Sequence, residues 1–214
     1  MKEVYNNYLN NNLKLKTWQK IGIICLIISI SGTFGWIYEF IFYYFNSGMK
    51  TFYYRGANFL PWINIYATGS LMILYLTINK KKKPFQIFLI AFISTGILEY
   101  ISGYGMLKFA HMRCWDYNTE ILNFGNIDGF VCLRSVTFFG LSALLLIYFI
   151  TPACIYLSKK INKKLFLVLS VTICTLILFD EFYNLIFARI LNLPRAADLY
   201  KTLGFKFMDY YKNV

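Results

Sequence analysis

Five ionisable side chains stand inside stretches too apolar for water: Glu39, Glu99, Asp180, Glu181 and Arg134. A charge at the centre of a membrane helix costs about 2.5–3.5 kcal/mol on insertion scales, and less toward the interface. Such residues usually face the bundle interior, pair with one another, and mark a site or a pathway. Carboxylates beside a guanidinium can hold a polar head group or exchange protons. Arg134 is the expected counter-charge for Glu39, Glu99 and Asp180, because guanidinium grips carboxylate bidentately. The four are expected to project into one cavity at similar depth. The structural alternative is that the acids only join helices, through Arg134 and tyrosines.

Neighbouring residues fit an inward polar face. Trp36 and Glu39 are three apart on a helix, Thr95 and Glu99 four apart, and Asp180 and Asn184 four apart, so each pair shares a side. Ser31 and Gly35 form a small-x-x-x-small pair that lets helices approach closely. Tyr38, Tyr100 and Tyr183 lie at the same level and fit an interfacial belt equally well. The segment "HMRCWDYN" at 111–118 holds the one histidine of the chain and a Trp-Asp-Tyr triplet. Trp115 would anchor at the interface, Asp116 would join the charge network, and Tyr117 could donate a hydrogen bond. The plainer reading is that the triplet folds the loop onto the helices. His111 beside Cys114 falls short of a metal site, which needs three or four ligands, so neither metal nor cofactor is expected. Cys25, Cys154 and Cys174 lie in apolar runs and read as small hydrophobes. Cys114 and Cys132 could pair if their loop is extracytoplasmic.

These side chains need elements to carry them. The chain has 214 residues, 58% hydrophobic and 20% aromatic, with a formal net charge of +12, and a mean hydropathy of +0.50. That composition excludes a soluble domain. Five runs are long enough for about 30 Å of hydrocarbon: 21–45, 63–78, 85–109, 130–157 and 165–190. None alternates as a membrane β-strand does, so the fold expected is an all-α integral membrane protein with about five transmembrane helices in one bundle. Residues 1–20 form a cytoplasmic tail, 21–191 a single polytopic domain, and 192–214 a C-terminal tail. The second run is the weakest, being short and opened by Pro61, Asn64 and Thr68; a tilted or partly re-entrant path would suit it. The first run is too long for a cleaved signal peptide and lacks an A-x-A site.

Lysines set the orientation. Lys2, Lys14, Lys16 and Lys20 precede the first run, Lys80 to Lys83 follow the second, and Lys159, Lys160, Lys163 and Lys164 follow the fourth. Five spans put all three segments on the cytoplasmic side, N-in and C-out, although Arg195, Lys201, Lys206 and Lys212 make the external tail basic. The clusters read as topology determinants beside anionic lipid, and no nucleic-acid partner is expected. At 1.5 Å per residue, Glu39 lies about 27 Å above the inner boundary, Glu99 about 21 Å, and Asp180 and Glu181 about 22–24 Å. Arg134 falls about 6 Å below the outer start of its helix. All reach the outer third of the bilayer, with Asp116 and Asp128 just above.

The motifs "GWIYE" (35–39), "YRG" (54–56), "PWINIYATG" (61–69), "LEY" (98–100), "WDYN" (115–118) and "NIDGFVCL" (126–133) occur in the order of one family. From about Gly35 to Pro152 the chain resembles the bacterial CmpB-like ABC-transporter type IV permease proteins. The resemblance implies a multi-pass protein of the bacterial cytoplasmic membrane. Its pattern maps onto Trp36, Glu39, Arg55, Gly56, Pro61, Tyr66, Gly69, Glu99, Trp115, Asp116, Tyr117, Asn126, Gly129 and Cys132, which adds Arg55 and Asn126 to the site candidates. The chain departs from it at Tyr54, Asn64, Ala67, Phe139 and Thr151. A basic residue expected after Gly129 is Phe130 here, and Arg134, one helical turn on, is the candidate replacement.

Three functions compete. One is a permease or transporter component. No G-x-x-x-x-G-K-[ST] is present, so an ABC role needs a separate ATPase, and five spans are few for a pathway, which favours a homo-oligomer. The second is a membrane-embedded enzyme acting on a lipid or lipid-linked substrate. The third is a structural or regulatory membrane subunit.

Overall fold

The computed structural model describes residues 2–207. A chain segment in lipid must satisfy its backbone internally, and helices dominate accordingly. They are α1 (Lys2–Leu9), α2 (Thr17–Asn46), α3 (Asn64–Thr77), α4 (Pro84–Ala110), α5 (Leu133–Lys160), α6 (Lys163–Ile190) and α7 (Ala196–Thr202). Four of them, α2, α4, α5 and α6, are long and apolar enough to cross a membrane. The protein is a helical membrane protein.

Local chemistry sets the ends and the irregularities. Pro84 opens α4, where its missing N–H costs nothing. His111 closes it in the left-handed conformation, its N–H on the Met106 carbonyl. The Asn162 side chain caps α6 through the Leu165 N–H. α5 passes through a π turn at Leu146–Ile150 just before Pro152, which relieves the clash a proline ring makes with the carbonyl four residues back. α6 has a second π turn at Tyr183–Phe187. There the Asn184 amide donates to the Asp180 carbonyl at 2.9 Å, a side chain inserted into the backbone ladder.

The chain forms two compact units, one of residues 1–71 with 150–207, the other of 72–149 among the described residues. The divisions fall within α3 and at the π turn of α5. In the first unit α2 runs along α6 and against the 151–160 half of α5, and α1 packs on that same half. Ile23, Ile27, Cys154, Phe166, Cys174 and Ile177 are buried there. In the second unit α4 pairs with the 133–145 half of α5. Phe130, Val131 and Val136 form its core, with Phe92, Tyr100 and Leu107 packed around them.

The second apolar run differs from the other four. It yields only the 14-residue α3, about 21 Å long against the ~30 Å of a hydrocarbon core. The chain preceding it runs along α2. The Ile63 N–H donates to the Gly32 carbonyl at 3.1 Å, and the Trp62 indole N–H to the Ile28 carbonyl at 3.0 Å. Both acceptors lie well inside α2. Gly32 makes room for this, because a Cβ there would stand in the Trp62 indole. The helix α3 therefore begins about 22 Å along α2 from Thr17, a distance its own length matches.

Candidate functional site

In the first unit Glu39, Asp180 and Glu181 serve the connection 47–63. Glu39, on α2, takes the Arg55 Nε–H at 2.6 Å and the Tyr66 hydroxyl at 3.2 Å. Arg55 is buried, its guanidinium 4.0 Å from the centre of the Tyr43 ring. Trp36 donates its indole N–H to the Arg55 carbonyl at 3.0 Å. The Asp180 carboxylate accepts two backbone N–H groups, from Phe59 at 3.0 Å and Leu60 at 2.6 Å, and the Asn184 amide at 2.7 Å. Asn184 in turn accepts the Ala196 N–H at 2.7 Å. Glu181 accepts from Asn58 at 2.5 Å and from Asn64 at 3.4 Å. Irregular backbone at membrane depth is tolerated only where protein satisfies it. Charged acceptors do so well, at about 1.5–3 kcal/mol per bond.

The C-terminal segment closes over the same connection. Tyr54 N–H donates to the Lys206 carbonyl at 2.8 Å, and the Tyr200 hydroxyl to the Phe59 carbonyl at 3.0 Å. The Tyr54 and Tyr200 rings lie 4.5 Å apart. Burial, followed by the neighbouring Tyr200 and Asp180, pushes the Tyr54 phenol well above its ordinary value.

In the second unit Glu99 is 2% exposed. Its carboxylate accepts the Tyr117 hydroxyl at 2.5 Å and the Ser135 hydroxyl at 2.8 Å. The Arg134 guanidinium lies 5.1 Å from the centre of the Tyr117 ring, and its Nη2 pairs with Glu120 at 2.6 Å. Around it the 111–132 loop is tied to itself. Asp116 accepts from Arg113 at 3.0 Å and from the Asn118 N–H and amide. Asn126 bridges Asn118 and the Gly129 N–H, and Trp115 donates to the Phe130 carbonyl at 2.9 Å. Gly129 has φ +77°, and a Cβ there would meet Arg113, Asp116 and Asn118. Phe130, standing where the resemblance expects a base, packs under the Arg113 guanidinium at 4.9 Å.

The candidates thus fall into separate groups. Trp36, Glu39 and Arg55 meet in the first unit, and Asp180 and Asn184 meet on another stretch of the same connection. Glu99, Tyr117 and Arg134 meet in the second unit, beside the knot of Asp116, Asn126 and Trp115. Arg55 pairs with Glu39, and Arg134 pairs with Glu120. Glu120, Ser135, Asn58 and Asn64 are partners that the reading by apolar runs missed. Glu120 had one usable signal, since it is one of only ten acids in the chain. No disulfide joins Cys114 and Cys132. Among the described residues no group of three or more His, Cys, Asp or Glu side chains is placed to hold a metal ion.

No curated protein matches the chain, and no solved structure does. A family model described as "Putative ABC-transporter type IV" matches residues 25–185. That span takes in both acid groups, the descending connection and the 111–132 loop, and the chain belongs to this ABC-transporter type IV family.

Proposed function

We propose that the chain is the permease component of a transport system in the bacterial cytoplasmic membrane, working as an oligomer with a separate ATPase. Its polar site is the Glu99 group near the outer face, with the N-terminus cytoplasmic and the C-terminus external. The family name supports transport, and the lack of a phosphate-binding loop in the sequence assigns ATP hydrolysis to another chain. The observation that carries the reading is Glu99 itself. Glu39, Asp180 and Glu181 hold the 47–63 connection, whereas Glu99 is buried in a spanning helix and accepts the Tyr117 and Ser135 hydroxyls. A buried carboxylate inside a spanning helix, facing other helices rather than lipid, is the kind of group that marks a ligand site or pathway.

Glu99→Gln tests this. The variant is expected to insert and to melt within a few degrees of the native protein in detergent, yet fail to complement a deletion strain. A large fall in melting temperature, with activity following the folded fraction, would make Glu99 structural. One observation favours a second reading, a lipid-acting enzyme: Ser135 donates to a buried carboxylate as a nucleophile does to its base. Ser135→Ala separates the two. An enzyme loses all turnover, and a permease keeps much of its function through the Tyr117 bond.

A further inference from the structure

The first unit carries a cationic end built from three helix termini. Gln19 joins two of them: its side-chain oxygen accepts the Lys16 N–H at 3.0 Å, and its amide nitrogen donates to the Ser158 hydroxyl at 3.1 Å. This seats the first turn of α2 on the last turn of α5. Trp18 joins the third, meeting Phe166 of α6 edge to face at 5.9 Å. Gln19 and Phe166 are buried, so the junction is fixed by packing. Six lysines surround it, all exposed: Lys16 and Lys20 from α2, Lys159 and Lys160 from α5, and Lys163 and Lys164 from α6. Each of the four ion pairs among the described residues uses an arginine, and none uses these lysines. The acid on the adjoining elements is Glu3, exposed on α1; Asp180 and Glu181 are at the far end of α6.

We infer that this junction is a specific binding site for an anionic phospholipid head group with two phosphates. The cations form two arms, the pair on α2 and the four at the α5–α6 connection, with the Trp18 indole between them. They sit at the ends of membrane-crossing helices, the level of lipid phosphates, where basic clusters between helices hold anionic head groups. An indole at that level packs along the glycerol and upper acyl region. A soluble acidic partner would have no use for a half-buried indole held on Phe166 at the helix ends.

Native mass spectrometry of the full chain in non-ionic detergent tests the site without depending on membrane orientation. The probes are diphosphatidylglycerol, phosphatidylglycerol and phosphatidylcholine. Diphosphatidylglycerol is expected to be retained at least tenfold over phosphatidylcholine and severalfold over phosphatidylglycerol. The variant K16Q/K20Q/K163Q/K164Q is expected to lose that retention about tenfold, and K80Q/K82Q/K83Q to stay within twofold of native. If a thermal melt shows the fourfold variant unfolded, K16Q/K20Q and K163Q/K164Q are measured separately, each expected to lose about threefold. Equal losses from the Lys80–Lys83 set would overturn the site in favour of bulk charge. So would retention of phosphatidylcholine equal to that of the anionic lipids. Displacement by pyrophosphate or polyglutamate at equal charge would show a general anion surface and also overturn it.

Discussion

At the residue scale, the intramembrane acids have two kinds of partner. Those of the first unit accept from arginine, asparagine, backbone N–H groups and the Tyr66 hydroxyl, and Glu99 accepts the Tyr117 and Ser135 hydroxyls. The pair Arg134–Glu120 is a third case, a short ion pair at 2.6 Å with the Glu120 side chain wholly buried. Removing one partner of a buried pair strands the other charge and costs about 3–5 kcal/mol, while replacing both by apolar groups is often near neutral. Glu120→Gln is therefore expected to lower the melting temperature strongly, and Glu120→Gln with Arg134→Met to recover much of it. Thermal melts in detergent of the two single variants and the double read this out, and an additive loss in the double would remove the pair. These pairings were half legible in the sequence. The acids are visible as breaks in apolar runs, but the choice of Arg55 for Glu39 joins a helix to a connection 16 residues away. No periodicity encodes that.

At the element scale, the descending connection is the unusual part. It depends on Gly32, which lets Trp62 lie against α2 and reach the Ile28 carbonyl. Gly32→Leu is expected to expel the indole, breaking that bond and the neighbouring Ile63–Gly32 bond. Overpacking of this kind costs typically 1–3 kcal/mol. Gly48→Ala, where a Cβ meets open space, is the control, expected to lose less because only its positive φ is strained. Melting temperatures and the fluorescence shift of Trp62 on exposure measure it. The C-terminal clamp adds a pH dependence. The Tyr54 phenol is held above its ordinary 10.0 by burial, so the folded state keeps the proton more tightly than the unfolded chain. Its stabilisation is complete below the unfolded value of about 10 and is lost as pH rises through the higher folded value. Melting temperature is expected to fall between pH 9 and 11 more steeply in the native protein than in Tyr54→Phe. Parallel curves would dismiss the phenol as the cause.

At the scale of the whole molecule, the question is how four long helices and one short one are threaded. The lysine segments agree with one another only if the chain crosses between residues 46 and 80, and α3 alone is too short for that. A descending connection followed by α3 would complete the crossing, and that path predicts Lys50 outside, Lys82 inside and Lys201 outside. Single cysteines placed at these positions in a cysteine-free protein are expected to label from outside at 50 and 201. At 82 labelling is expected only after permeabilisation. External labelling at 82 would mean that the connection and α3 return to the side they came from. Lys212, the last basic residue of the tail, lies outside the described residues.

Composition and hydropathy alone determined that this is a helical membrane protein with four strong spans and one doubtful one, because every span in lipid must satisfy its own backbone. Motif order alone pointed to the family later matched over 25–185. Which acid meets which partner was not legible in the sequence. Asp180 finds the Phe59 and Leu60 N–H groups across more than a hundred residues, and Glu99 finds Ser135 across 36. Rotation about a helix axis, and the path of the 47–63 connection along α2, are fixed by packing against other elements. Only the tertiary structure carries that information. The loop motif "WDYN" shows the same limit: its sequence advertises chemistry, but folding uses Trp115 and Asp116 to tie the loop and leaves Tyr117 to reach Glu99.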